Sequence, residues 1–377
     1  MKPELREFLE KLAEIVNIDS NSRDPAGITA VADVITGWFT DLGWQVQRHN
    51  VGPETGPLLQ ITNKGTDKYD AVLLGHMDTV FPAGTVAERP FRVEGGRAYG
   101  PGVVDMKNGL VAMYFIAKAL SAEPEKSPAV CMLFNPDEEI GARYSKHKMI
   151  EIVANSPLLY VLEGAEGDPD LHCHASKGIT SFTAVFHGQS AHAGNILDRA
   201  GASAILEAAR WTETICGWVD REKQNTANVG IIQGGLAANV VPDYAHIRAE
   251  FRTVTVEDQR RLLEKVEHMA AHPMTPGVTV ELRDVGGRPP LVPNEGTMAE
   301  IERAQKIAAS LGQTFRVHAR GGVSDANTIC GALPHLICLD DMGPAGDNAH
   351  SPEEYLDIHS CLPNVELFTA LLLDLKK

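Results

Sequence analysis

Residues 71–78 read AVLLGHMD: four apolar residues, a glycine, then a histidine and an aspartate two positions apart. A run this apolar is the signature of a strand buried on both faces, the kind that fills a parallel sheet. Side chains alternate along a strand, so His76 and Asp78 emerge on the same side at its carboxyl end. An imidazole that binds a metal donates its second ring N–H to a partner that fixes its tautomer, commonly a carboxylate. The pair has the spacing for that arrangement, and equally for an ordinary structural contact. What the neighbouring strands deliver decides between them.

Two further stretches follow the same plan. Residues 129–134, AVCMLF, run into Asn135-Pro136-Asp137-Glu138-Glu139, and residues 158–162, LLYVL, deliver Glu163. Asp105 follows the turn Gly100-Pro101-Gly102 and leads into an apolar helix through about residue 120, while His350 sits in a loop, GPAGDNAHSPEE, beyond a buried strand at 336–340. Ligands of open α/β sheets bind at the carboxyl ends of the strands, so His76, Asp105, Glu138, Glu139, Glu163 and His350 are expected on one rim. Two imidazoles and three or four carboxylates exceed the needs of one tetrahedral zinc and suit two zinc ions sharing a carboxylate. Glu138 and Glu139 are adjacent and diverge, so one can ligate while the other activates water as a general base. Solvated carboxylates at helix N-termini would explain any one of these glutamates but not the set.

The rest of the chain frames these strands. The pattern predicts a helix carrying Leu5, Phe8, Leu9, Leu12, Ile15 and Val16, another near 28–42, short strands at 44–49 and 58–62, and a hairpin at 91–98 turning on Gly95-Gly96. The character changes near Lys177. From 245 to 253, Ala245, Ile247, Ala249 and Phe251 face one way while His246, Arg248, Glu250 and Arg252 face the other, an antiparallel strand with one packed face. With strands at 180–187, 228–233 and 278–284 and helices at 201–218 and 256–271, the order is β-α-β-β-α-β, the ferredoxin-like arrangement. Residues 177–288 therefore read as an inserted domain, hinged near Lys177 and Arg288, within a discontinuous domain of residues 1–176 and 289–377. Past the insert come a helix with the stripe Met298, Ile301, Ala304, Ile307 and Leu311, a strand at 315–319, a glycine-rich turn containing Ser324-Asp325, and a C-terminal helix.

Composition sets the outer bounds. A length of 377 residues suggests two domains. A formal charge of -16 argues against a nucleic-acid partner, which needs a basic face. The first helix is amphipathic, not a signal peptide, and no apolar run approaches the ~20 residues of a membrane span. Six cysteines without a CxxC pair read as buried thiols of a cytoplasmic protein, which leaves histidine and carboxylate to hold a metal. GRAYGPG follows a hairpin instead of opening a helix after the first strand, so it is no dinucleotide fingerprint. A dinuclear phosphatase lacks its phosphate-cradling loop here, and Ser324 lacks a base to make it a nucleophile.

The runs LLGHMDTVF, GPGVVDMKNGL, NPDEEIGA, LEGA, SAHAGN, ANVVP and NAHSPEEY resemble, in order and over nearly the whole chain, the zinc-dependent metallopeptidase family that includes glutamate carboxypeptidase, aminoacylase, acetylornithine deacetylase and succinyl-diaminopimelate desuccinylase. The glutamate carboxypeptidase branch is the nearest in look. The resemblance implies an α/β fold: a mixed-sheet zinc-peptidase catalytic domain carrying an inserted α+β lid and dimerisation domain. It implies two zinc ions per subunit, with Co2+ or Mn2+ as substitutes: His76 and Glu163 on one, Glu139 and His350 on the other, Asp105 bridging. Asp78 would orient His76, Glu138 would be the base, and the Asp105-Met106 bond would be cis as in relatives. His192, Asn239, Arg252 and Arg288 would bind the substrate's terminal carboxylate and the scissile carbonyl, with His192 reaching across a homodimer. The expected reaction is hydrolysis of an amide beside a C-terminal carboxylate in a small peptide or N-acyl amino acid. N-acyl-amino-acid deacylase or dipeptidase activity is the alternative, and a non-catalytic metal-binding relative is a reading of a different class.

Overall fold

In the computed structural model, which describes residues 1–197 and 201–376, the Ala71–His76 strand is buried at every position. It lies inside a six-stranded sheet ordered Gln45–His49, Leu58–Thr62, Val130–Asn135, Ala71–His76, Leu158–Val161, Ile337–Leu339. The last four strands run parallel, and the first two add an antiparallel edge. His76 pairs with Asn135, so the strands that deliver the candidate ligands end level with one another. Strand structure stops at His76, two residues earlier than the sequence pattern implied, with Met77 N–H making the last ladder bond to the Asn135 carbonyl at 2.7 Å.

Helix Lys107–Ala122 is buried over most of its circumference, as a helix with apolar residues on most of its faces must be. Tyr114 and Phe115 join Phe8, Trp38 and Phe39 in an aromatic cluster. Gly109 is what lets this helix close on the sheet: a Cβ there would stand 2.1 Å from the Leu162 carbonyl oxygen. That approach brings the start of the helix, just after Asp105, against the strand end that carries Glu163.

A five-stranded sheet, Arg92–Glu94, Arg97–Tyr99, Tyr355–Asp357, Gly343–Asp347 and Gly164–Glu166, supports the other loops. Its existence corrects the expectation of a loop over GPAGDNAHSPEE, since Gly343–Asp347 is a strand paired on both sides. Glycine, proline and alanine show no apolar alternation. The strand is selected by backbone approach instead, a Cβ on Gly343 meeting the Leu162 carbonyl oxygen at 2.4 Å. Two more expectations are corrected. Met298 is 49% exposed, and Thr297 and Glu300 occupy the buried face of helix Glu295–Ser310; a buried carboxylate bonded to Tyr160 and Arg303 shifts the stripe. Ser324 lies not in a plain turn but at the N-cap of helix Asp325–Ala332, with Asn327 closing a capping box.

The chain divides into two compact units, one of Met1–Ala175, Pro293–Ala319 and Ser324–Lys377, the other of Ser176–Val292 and Arg320–Val323. The second is a four-stranded antiparallel sheet ordered Thr226–Gly234, Tyr244–Thr253, Gly178–His187, Thr279–Arg288, which in chain order is 2-3-1-4, the ferredoxin-like topology. Phe182, Ala184, Phe186, Ala245, Ile247 and Phe251 pack with Trp211 and Ile215 of helix Ala204–Cys216 and with Leu262 and Val266 of helix Val256–Ala271. Ser176 and Leu291 exchange both backbone hydrogen bonds, which carries this unit past Arg288. Among the described residues no helix is long and apolar enough to cross a membrane.

Candidate metal centre

Four of the expected metal residues stand at the carboxyl ends of parallel strands or in the loops directly after them, and all five lie in the first unit. His76 is the last residue of its strand and is 1% exposed. Its Nδ1 is 2.9 Å from the Asp78 carbonyl oxygen. Its Nε2 faces Asp105 Oδ1 at 3.0 Å and Glu163 Oε2 at 3.6 Å; burial opposes a charge on the ring, but Glu163 and Asp105 outweigh it and draw the imidazole well above its usual range. Either a proton or a metal ion on Nε2 meets the two carboxylates.

The second half is built on the other oxygen of the same aspartate. His350 Nε2 is 2.9 Å from Asp105 Oδ2 and 3.2 Å from Glu139 Oε2. One ligand atom each of His76, Asp105 and Glu139 falls within 4.8 Å of the other two. His350 holds φ +64 and Asn348 φ +61, a left-handed conformation that asparagine and histidine adopt more readily than most residues. The Asp105-Met106 peptide is cis.

Electrostatics of the cluster point the same way. Burial pushes the Glu163 carboxyl up to about 8 against the opposing pull of His76. Burial likewise raises Glu139 to about 7, with the His350 bond opposing. Hydrogen bonds to Asp105 and Glu139 draw the His350 imidazole up to about 11. Burial disfavours ionised Asp105 too, but the bonds from His350 and His76 outweigh it and hold that carboxyl well below the usual range. Carboxylates outnumber imidazoles in the cluster. Its nitrogen and oxygen donors, without thiolate, fit zinc or a similar divalent ion.

Glu138 and Glu139 open a 3-10 turn, Glu138–Ile140, after the Val130–Asn135 strand. Both turn amides point at one carboxylate: Asp78 Oδ1 accepts from Glu138 N–H at 3.0 Å and Oδ2 from Glu139 N–H at 3.1 Å. Ser22 Oγ donates to Oδ2 at 2.6 Å. The Asp78 carboxylate stands 3.4 Å from His76 Nδ1, farther than its own backbone carbonyl. It therefore fixes the Glu138-Glu139 turn more directly than it fixes the imidazole. Sequence reasoning did not reach Ser22, since a lone serine 56 residues from its partner leaves no pattern. It also passed over Lys107, 1% exposed, whose Nζ donates to the Ile15 and Ile18 carbonyls at 3.0 and 2.9 Å; a lysine inside an apolar helix was the available signal.

The four expected substrate residues belong to the second unit. His192 and Asn239 are exposed neighbours: Ala191–His192 pairs with Val240–Val241, and Ala193 N–H donates to the Asn239 carbonyl at 3.0 Å. Ile179 is in register with Arg252 on one side and Arg288 on the other, which sets the two guanidinium-bearing positions level on one face. Arg252 donates to Glu250 Oε1 and the Gly321 carbonyl, each at 2.9 Å. Arg288 is buried.

Strand ends that gather imidazoles and carboxylates around one shared aspartate have the build of a metallohydrolase. The model for Peptidase family M20/M25/M40 matches residues 72–374, and the chain belongs to that family of metal-binding hydrolases. It is 28% identical over 371 residues to carboxypeptidase G2 of Pseudomonas sp. (strain RS-16), covering 97% of this chain and 89% of that one. It is 30% identical over 382 residues to the uncharacterized protein YqjE of Bacillus subtilis (strain 168), covering 97% and 98%. The crystal structure of aminopeptidase PepT from Bacillus cereus superposes with a TM-score of 0.81 at 25% identity, covering 99% of both chains.

Proposed function

We propose that the protein is a zinc-dependent exopeptidase of the carboxypeptidase type, cleaving the amide beside a C-terminal, preferably acidic, residue. The observation that carries the dinuclear part is Asp105, whose two oxygens each face a different histidine at 3.0 and 2.9 Å. In this reading His76 and Glu163 hold one ion, Glu139 and His350 the other, and Asp105 both. The ions, when bound, supply Lewis acidity toward the amide carbonyl and a more acidic water. Glu138 takes the proton of the attacking water and returns it to the leaving amine. Arg288 and Arg252 offer guanidinium groups suited to a carboxylate, and His192 and Asn239 offer polar contacts to the scissile carbonyl. Similarity to carboxypeptidase G2 supports cleavage at the C-terminal side.

The test is amine release from a panel of dipeptides and N-acyl amino acids, with zinc supplied and then stripped by chelator. Zinc-dependent release confined to substrates with C-terminal glutamate or aspartate is expected. Release of acyl groups without regard to the carboxyl side would move the activity to deacylase, and binding of zinc without any release would overturn catalysis. Arg288→Ala should raise KM for acidic substrates by roughly 10- to 100-fold, the worth of a charged hydrogen bond, while kcat changes little; an unchanged KM would remove Arg288 from carboxylate binding. A homodimer through the exposed Thr226–Gly234 edge, where Ile231 and Ile232 are 40% and 51% exposed, is part of the same reading. Sedimentation as a monomer at micromolar concentration would contradict it.

A further inference from the structure

Glu354 lies four residues beyond His350 in the same segment, AHSPEE, and is 1% exposed. Its Oε2 accepts from Gly102 N–H at 3.0 Å, and its Oε1 from Val104 N–H at 2.8 Å and Asp105 N–H at 3.1 Å. All three donors belong to the loop that ends in Asp105, and among the described residues no basic side chain bonds this carboxylate. A carboxylate buried on backbone amides alone is expensive to desolvate. Its partners fix what it achieves.

The same short segment thus grips Asp105 at both ends. His350 meets the side chain at Oδ2, and Glu354 meets the backbone N–H. We propose that Glu354 is a positioning residue of the metal centre, locking the Asp105 backbone so that the two carboxylate oxygens are held toward His76 and His350 at once. The proposal rests on Asp105 as the shared ligand. It assigns a task to a residue that touches neither metal ligand atoms nor substrate, and it couples the loop of one metal half to the loop that supplies His350. Without the clamp, the Gly100–Asp105 loop, which includes glycines at φ +149 and +75, would have only weak local preference for the orientation that serves both halves.

Glutamine at 354 keeps one acceptor oxygen for Val104 and Asp105 and turns an NH2 toward the Gly102 N–H. The full-length chain carrying Glu354→Gln, stripped with chelator, would be titrated with Zn2+ against a competing dye and with Co2+ by visible absorption, and its metal-free melting recorded. The expected result is two ions bound with one or both weakened 10- to 100-fold, an altered Co2+ spectrum, and kcat lowered by a similar factor with KM nearly unchanged. Lower metal-free melting with wild-type zinc affinities and Co2+ spectrum would overturn the proposal, because a merely structural residue behaves that way. If Glu354→Gln does not fold, Glu354→Asp, which keeps the charge and loses reach, is read by the same criteria. Asp105→Asn run alongside separates the two ideas. Undisturbed metal binding there defeats the shared-ligand reading itself, whereas lost binding there with none at Glu354→Gln defeats only the clamp.

Discussion

Glu138→Gln is expected to lose about 10^2- to 10^4-fold in kcat, the range that a positioned general base contributes, while retaining its metal. Glu138 is 8% exposed, and its place is set by a backbone bond, Glu138 N–H to Asp78 Oδ1 at 3.0 Å, which the substitution does not touch. Glutamine therefore occupies the same turn with the same volume and cannot accept a proton. KM should stay within a few-fold, since the lost interaction belongs to proton transfer in the transition state and not to substrate binding. Glu139→Gln is the matched control: Glu139 faces His350 at 3.2 Å, and its variant should lose metal as well as turnover. Activity measured alongside metal content separates the two glutamates. Near-wild-type turnover of Glu138→Gln would place the base elsewhere in the cluster.

The parts legible in the sequence are those carried by periodicity. AVLLGH, VCMLFN and LLYV announce buried strands because nothing but apolar side chains survives between two covering layers, and their ends could be located to within two residues. The alternation from Ala245 to Phe251 announced a one-faced antiparallel strand for the same reason. What stayed hidden is held by backbone contacts. Gly343–Asp347 is a strand without alternation, chosen by how closely glycine lets two main chains approach. Asp78 was expected to serve its neighbour's imidazole two residues away, but most of its bonds go to amides 60 and 61 residues distant. Glu354 looked like one acidic residue in a polar loop, and three amides some 250 residues away define it. A side chain that answers to main-chain donors leaves no partner residue type to find, so the run NAHSPEEY includes Glu354 without disclosing its partners.

Asp78→Ala is expected to damage stability, metal binding and turnover together, unlike Glu138→Gln. The Asp78 carboxylate is fully buried and accepts from Ser22 Oγ and from both amides of the Glu138-Glu139 turn. Alanine leaves those two amides without their acceptor in a buried place, at about 1–3 kcal/mol each, so melting should fall by several degrees. The turn, no longer tied to the end of the Ala71–His76 strand, then carries base and ligand out of register at once. His76 keeps its tautomer through the Asp78 carbonyl oxygen at 2.9 Å, which alanine also possesses. Zinc affinity should consequently fall through Glu139 and not through His76, and kcat should drop by at least the 10- to 100-fold typical of a lost supporting contact. Asp78→Asn discriminates further: its single carbonyl oxygen can serve one amide, while its NH2 opposes the other. It should lie between wild type and alanine in melting, yet close to alanine in kcat, because one loose amide is enough to displace Glu138 or Glu139. Melting and zinc affinity both unchanged in Asp78→Ala would show that the turn is held by other means, and would return Asp78 to the imidazole-orienting role its spacing first implied.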